Sequence, residues 1–181
     1  MSEQTAAPEV EIPYELAEQL VNGEITFAEF LGLSRQSLYA IAGVGYQMLS
    51  SGKLEQAKQI YRGLVEADPY DSVFHCHLAA VHHKLEEYDQ ACEEYTKALD
   101  FNFGNIDALA GRGEIYFNQG KLTEAFHDLK EAISLDPQGK FASSVRARAV
   151  LLALKEVVDN HRETNQQTEQ AEETEQVKET E

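Results

Sequence analysis

The sequence predicts an all-α protein built as an α-solenoid: three tandem helical hairpins, preceded by an N-terminal helical segment and closed by a C-terminal capping helix. Three observations carry this. The string Gly52-Lys53-Leu54-Glu55-Gln56-Ala57 returns as Gly120-Lys121-Leu122-Thr123-Glu124-Ala125, 68 positions later. Halfway between them Tyr88-Asp89-Gln90-Ala91 matches the second part of both, which sets the unit at 34 residues. Small and large residues also alternate at fixed places in each unit, as expected when paired helices interlock.

A 34-residue period is the length of the tetratricopeptide repeat, a helix-turn-helix unit that cannot cover its own apolar face and therefore stacks on its neighbours. The units fall at residues 38–71, 72–105 and 106–139. Position 8 of each is Gly45, Ala79 or Gly113, small where the two helices of a pair cross. Position 20 is Ala57, Ala91 or Ala125, and position 27 is Leu64, Ala98 or Ala132. Position 24, with Tyr61, Tyr95 and Leu129, fills the space those residues leave. Proline stops the second helix at Pro69 and Pro137, and Phe103 stands at that place in the middle unit.

The flanks read differently. Residues 1–12 are acidic and aperiodic, the composition of a disordered segment. Residues 13–37 form the N-terminal helical segment: Pro13 suits a first helical turn, Asn22-Gly23 ends the helix, and Thr26-x-x-Glu29 has capping-box spacing for a second, short helix through Phe27, Phe30 and Leu31. Its apolar residues need a cover, either the first repeat or a second copy of the chain. Residues 140–160 carry Phe141, Val145, Ala149, Leu152 and Val157 at helical spacing and read as a helix laid over the last repeat. Residues 161–181 lack packing side chains and read as a disordered acidic tail.

The net charge of −17 argues against nucleic acid and anionic membrane as partners. Much of it lies at the ends, since residues 1–20 hold five acids and no Lys or Arg, while residues 161–181 hold seven acids and two bases. Two cysteines and no long apolar run favour a cytoplasmic setting. His75-Cys76-His77 with His82-His83 suggests a metal site only at first sight. Ligands on one helix must stand at i,i+3 or i,i+4, whereas His75/His82 and Cys76/His83 are seven apart, about 10 Å along the axis. No nucleophile has a base partner and no glycine-rich phosphate loop is present. The expectation is a protein that is not an enzyme, with no catalytic residue, no metal and no cofactor.

A stacked array offers a groove lined by the first helix of each unit. Positions 2, 5, 9 and 12 face inward in such repeats, which selects Tyr39, Ala42, Tyr46 and Leu49, then Val73, Cys76, Ala80 and His83, then Asp107, Ala110, Glu114 and Phe117. Tyrosines give wide apolar contact with a polar tip, so the wall suits an extended peptide with spaced apolar anchors. Asp107 and Glu114 would repel the C-terminal carboxylate that some cochaperone grooves hold.

On Asp68-x-Tyr70-Asp71-Ser72-x-Phe74, Tyr88-Asp89-x-Ala91 with Tyr95 and Ala98, and Gly113-Glu114 leading to Gly120-Lys121-Leu122-x-Glu124-Ala125, the chain resembles the class II chaperones of bacterial type III secretion. The resemblance covers roughly residues 20–160 and departs from the family in the glutamate-rich tail and in Ala42, Leu49 and Leu54, where aromatic residues are expected. It implies an all-helical cytoplasmic chaperone, often a homodimer through its N-terminal helices, that keeps hydrophobic translocator proteins soluble and export-competent. The implied peptide contacts are Tyr39, Ala42, Tyr46, Leu49, Val73, Cys76, Ala80 and His83. The other use of such an array is a scaffold or adaptor in a cytoplasmic assembly.

Overall fold

The structure is a computed structural model describing residues 13–179, with side chains for 13–164. It is all helical among these residues: α1 Tyr14–Val21, α2 Phe27–Phe30, α3 Arg35–Ser50, α4 Leu54–Ala67, α5 Ser72–Lys84, α6 Tyr88–Phe101, α7 Ile106–Asn118, α8 Leu122–Leu135 and α9 Ala142–Glu179. None of them is long and apolar enough to cross a membrane. The segment 1–12, expected to be disordered, lies outside the described residues.

Helices α3/α4, α5/α6 and α7/α8 are the three hairpins, and they interlock through the residues the period singled out. Ala57, Ala91, Ala98, Ala125 and Ala132 are fully buried, as are Tyr61 and Leu129. A methyl group on Gly45 would meet Tyr61 at 2.9 Å, and one on Gly113 would meet Leu129 at 2.9 Å. Position 8 is therefore small because the large residue at position 24 of the same unit lies against it. Burial runs across unit boundaries: one cluster joins α2 to α5, a second joins α5, α6 and α7, and a third joins α7, α8 and α9. Each unit thus completes its core with its neighbour, which is what makes a solenoid cooperative.

The junction between the first two units explains Asp68-x-Tyr70-Asp71-Ser72-x-Phe74. The Asp68 carboxylate accepts from the Tyr70 amide, and Asp71 caps α5 by accepting from the amides of Val73 (2.8 Å) and Phe74 (3.4 Å). Ser72 donates to the Ala98 carbonyl at 2.7 Å and accepts from Asn105 at 2.9 Å, reaching into the next junction. Phe74 is fully buried. Every polar residue in the string closes a turn or ties one unit to another.

The turn inside each hairpin needs a left-handed residue at position 15. Gly52 (φ 74°) and Gly120 (φ 72°) supply it in the outer units, but the middle unit uses Glu86 at φ 61°. A Cβ in this region costs about 1–2 kcal/mol. After allowing for the extra freedom glycine gives the unfolded chain, Glu86→Gly is expected to stabilise by about 0.5–1 kcal/mol and to raise Tm by about 1–4 °C in a thermal melt.

At the N-terminal end Pro13 precedes α1, and Thr26 and Glu29 form the reciprocal capping box, with bonds of 3.2 and 2.7 Å. Ala28 anchors α2 in the first core cluster. Among the described residues, helix α1 packs only on α2 and contains no buried residue.

The C-terminal end departs from expectation in two ways. The tail expected to be disordered from residue 161 continues α9 as helix to Glu179. Glu, Gln, Ala and Lys are strong helix formers and residues 142–179 hold no Gly or Pro, so a segment too polar to pack still extends a helix already nucleated upstream. The face of α9 against the array is also not the expected one. Ser144, Ala147 and Leu154 are buried there, whereas Phe141, Val145 and Leu152 are 56, 52 and 70% exposed. The α8–α9 turn sets this rotation. Asp136 accepts from the Phe141 amide (2.8 Å) and from the Ser144 hydroxyl (2.6 Å), while Arg148 donates to the Asp136 carbonyl (2.7 Å). The Phe141 amide, then the Ser144 hydroxyl, holds the Asp136 carboxyl down at about 2.

Candidate functional site

The first helices touch in series, α3 to α5, α5 to α7 and α7 to α9, whereas the second helices α4, α6 and α8 do not touch one another. Helices closer together on one side than the other make the array curl, so the first helices line its concave face. The start of α9 takes the place that a fourth first helix would have.

Two of the expected wall residues stand open. Tyr46 is 58% exposed and meets His77 edge-on at 6.1 Å between ring centres. Tyr39 is 38% exposed, with its ring 5.3 Å from Phe74 and its hydroxyl donating to Asp71 at 2.9 Å. Burial, then that carboxylate, raises its pKa. Val73, Ala80 and His83 are half-buried along α5. His83 lies 5.9 Å from Tyr88, and its pKa is lowered, first by burial and further by Arg146 and Lys84 despite Glu114.

Ala42, Leu49 and Cys76, expected on the groove surface, are buried instead. Ala42 and Leu49 belong to the first core cluster, and the Ala42 carbonyl accepts from Tyr61 at 2.9 Å. Cys76 packs in the second cluster, where burial, then the charge of Asp107, pushes its thiol up to about 12. The physical reason is the same for all three: successive helices are in contact, so part of an inward stripe lies between them rather than on the surface.

The third unit's share of the groove is taken by α9. Ala110 is buried with Ala147 and Leu154, Asp107 accepts from Ser143, and Glu114 faces Arg146 at 4.0 Å. The two acids expected to repel a carboxylate thus have partners of their own. Arg146 and His77 were not singled out by the stripe rule. Arg146 lies beyond the three units, and the 34-residue register carried past residue 139 puts it at position 7, off the stripe. His77 sits at position 6, stacked on Tyr61 at 5.0 Å with its Nδ1 donating to the Val73 carbonyl.

The other two histidines of the cluster, His75 and His82, are tied up in the fold. His82 bonds Glu87, which also accepts two bonds from Lys58. His75 is buried, with Nδ1 2.6 Å from Glu94 and Nε2 2.9 Å from the Pro69 carbonyl. Burial opposes its charge, but the bonds to Glu94 and Pro69 outweigh it and the pKa is raised, while that of Glu94 is lowered against burial by His75 and Lys97. The histidine contribution is complete below the unfolded value of about 6.5 and is lost as pH rises through its higher folded value. The Glu94 contribution is complete above the unfolded value of about 4.3 and is lost as pH falls through its lower folded one. Stability from this pair is therefore greatest between about pH 4.3 and 6.5. Melts of wild type and His75→Gln should converge as pH rises from 6 to 8.

Family models of the tetratricopeptide repeat match residues 106–138 and 74–105. Two of the three hairpins thus match the tetratricopeptide repeat, and the all-helical hairpin array has the fold of such repeats. Matches within this class include mouse sperm-associated antigen 1, 32% identical over 100 residues; they cover 55% of this chain and only 11% of that protein, so the chain spans about a tenth of it. A more complete likeness is to the low calcium response locus protein H of Yersinia pseudotuberculosis, 28% identical over 158 residues, covering 81% of this chain and 94% of that protein. Among solved structures, the type III secretion translocator chaperone SycD of Yersinia enterocolitica aligns with a TM-score of 0.64 at 26% identity, covering 71% of this chain and 98% of its own. SycD has also been solved with a peptide of the translocator YopD; that structure aligns with a TM-score of 0.61 at 26% identity, over 67% of this chain and 95% of that one. The chain's structural neighbours thus include translocator chaperones of type III secretion.

Proposed function

We propose that this protein is a cytoplasmic chaperone of type III secretion that holds an extended segment of a translocator protein along α3 and α5. It acts by binding alone, without catalysis or cofactor. The observation that carries this reading is the pairing of two outward tyrosines, Tyr39 and Tyr46, with the half-buried Val73, Ala80 and His83 on the adjacent helix. Their apolar surfaces suit anchor side chains, and a segment held there is withdrawn from aggregation. The likeness to a chaperone solved with a translocator peptide supports the same reading. Ala42, Leu49 and Cys76 then act from beneath, fixing the helices that carry the contacting residues.

The test is titration calorimetry with peptides of a type III translocator, such as the YopD segment held by SycD. Tyr46→Glu and Ala80→Glu each place a charge against an apolar anchor and should weaken binding at least about 30-fold, the effect of losing a hot spot of about 2 kcal/mol. Lys130→Ala on α8 should leave it unchanged. Wild-type affinity in both glutamate variants would refute the groove.

A further inference from the structure

A second apolar groove lies at the other end of the array, on α8 and α9. It is a cavity of about 840 Å³ between α8 and α9, floored by Leu151 and Val158 and walled by Phe126 and Leu152. Phe126 is 47% exposed and Leu152 70%. Arg148, Lys155 and Arg162 stand along it at seven-residue intervals with one acid, Asp159, among them. In a chain of net charge −17, this is a local excess of cations.

The array itself explains why this slot is open. In the third unit, α8 packs on α7, and Arg112 of α7 bonds both Asp128 of α8 and Thr96 of α6, so a first helix is held by second helices on both sides. Helix α9 takes the place of a fourth first helix, but instead of turning back it continues as one helix to Glu179. The place of its companion stays open, and the exposed Phe141, Val145 and Leu152 continue the same apolar surface.

We propose that this slot receives α1 of a second copy, joining protomers head to tail. The occupant must be a short amphipathic helix with acidic flanks. Within this chain α1 fits: Tyr14 and Val21 are 77 and 86% exposed, Leu16 and Leu20 are not buried, and Glu15 and Glu18 flank them. Helix α1 cannot reach the slot of its own chain, because it packs on α2, which joins the array at α4, two hairpins from α8. The tail cannot fill it either, since α9 leads away from it and residues 163–181 offer only Ala171 and Val177 as apolar side chains. The cations span about 21 Å of α9, and α1 is about 12 Å long, so it fits with its glutamates beside Lys155 and Arg162. The interface is heterologous, so copies can keep adding.

Light scattering on the full chain over a range of concentrations tests this independently of cargo binding. Wild type should rise above the 20.3 kDa monomer as concentration increases. Leu152→Glu and Tyr14→Glu, both at exposed sites, should keep wild-type circular dichroism and stay monomeric to at least about tenfold higher concentration. Mixed together they should form a one-to-one pair, because each retains the half of the contact the other lacks. Charge reversal by Lys155→Glu should likewise be rescued by Glu18→Lys. A wild type that stays monomeric overturns the proposal. So does assembly that Tyr14→Glu abolishes and Leu152→Glu spares, which assigns pairing to the N-terminal ends alone. Capture of a translocator helix that Leu152→Glu weakens, with no self-association, overturns it in favour of cargo.

Discussion

Gly111→Ala is expected to destabilise the protein by about 2 kcal/mol and to lower Tm by about 4–8 °C, although alanine is the better helix former. The added methyl would stand 2.3 Å from Cζ and 2.4 Å from the hydroxyl oxygen of Tyr95. Tyr95 cannot yield easily, because its ring is buried between Ala91, Ala98 and Ala108 in the cluster that joins the second unit to the third. Helix propensity favours alanine by about 1 kcal/mol, while overpacking a well-filled core costs about 1–3 kcal/mol and here also forces α6 from α7. Gly43 occupies the same position of the first unit, and a methyl group added there would have no neighbour within 4 Å, so Gly43→Ala should gain about 0.5–1 kcal/mol. Replacing Tyr95 by Leu, the residue type that Leu129 supplies one unit later, should recover much of the Gly111→Ala loss. Equal melting points for Gly111→Ala and Gly43→Ala would show that the close approach has no energetic consequence.

The contrast between these glycines marks what could be read from the sequence. Positions that repeat in every unit, such as Ala57, Ala91 and Ala125, announce themselves because the same contact is made three times. Position 6 is Gly43, His77 or Gly111, which meet open space, Tyr61 and Tyr95 respectively, so no period reveals it. The groove was legible to the same extent. The stripe rule brought out Tyr39 and Tyr46, but it could not tell an inward residue that faces solvent from one, like Cys76, trapped where helices meet. At α9 the pattern was ambiguous for another reason: apolar residues surround most of its first half, so periodicity alone does not say which side packs. The Asp136 turn decides that, through bonds made only in three dimensions. The tail shows a further limit, since low hydrophobicity bears on packing and leaves helix propensity free to act.

The second large effect is expected at Asp128. Its carboxylate is buried and accepts from Arg112 Nε at 2.7 Å and from a terminal guanidinium nitrogen at 3.0 Å, while another guanidinium nitrogen donates to Thr96 at 3.0 Å. One arginine on α7 thereby ties α8 to α6, across the boundary between the second and third units. Asp128→Ala would leave that guanidinium half-buried without its counter-charge, and loss of one partner of such a pair costs about 3–5 kcal/mol. Arg112→Met together with Asp128→Leu removes both charges and should return to within about 1–2 kcal/mol of wild type, since a paired ion bridge is itself offset by desolvation. The loss should also be local. In a linear array each unit leans on its neighbours, so hydrogen exchange in Asp128→Ala should accelerate in α7, α8 and the first turns of α9, and much less in α3, α4 and α5. Tyr39, Tyr46 and Val73 would then keep their arrangement while Arg146 and Glu114 lose theirs. A translocator peptide that still binds the variant would place its anchors on the first two units, and one that is lost with the third unit would place them beside α9.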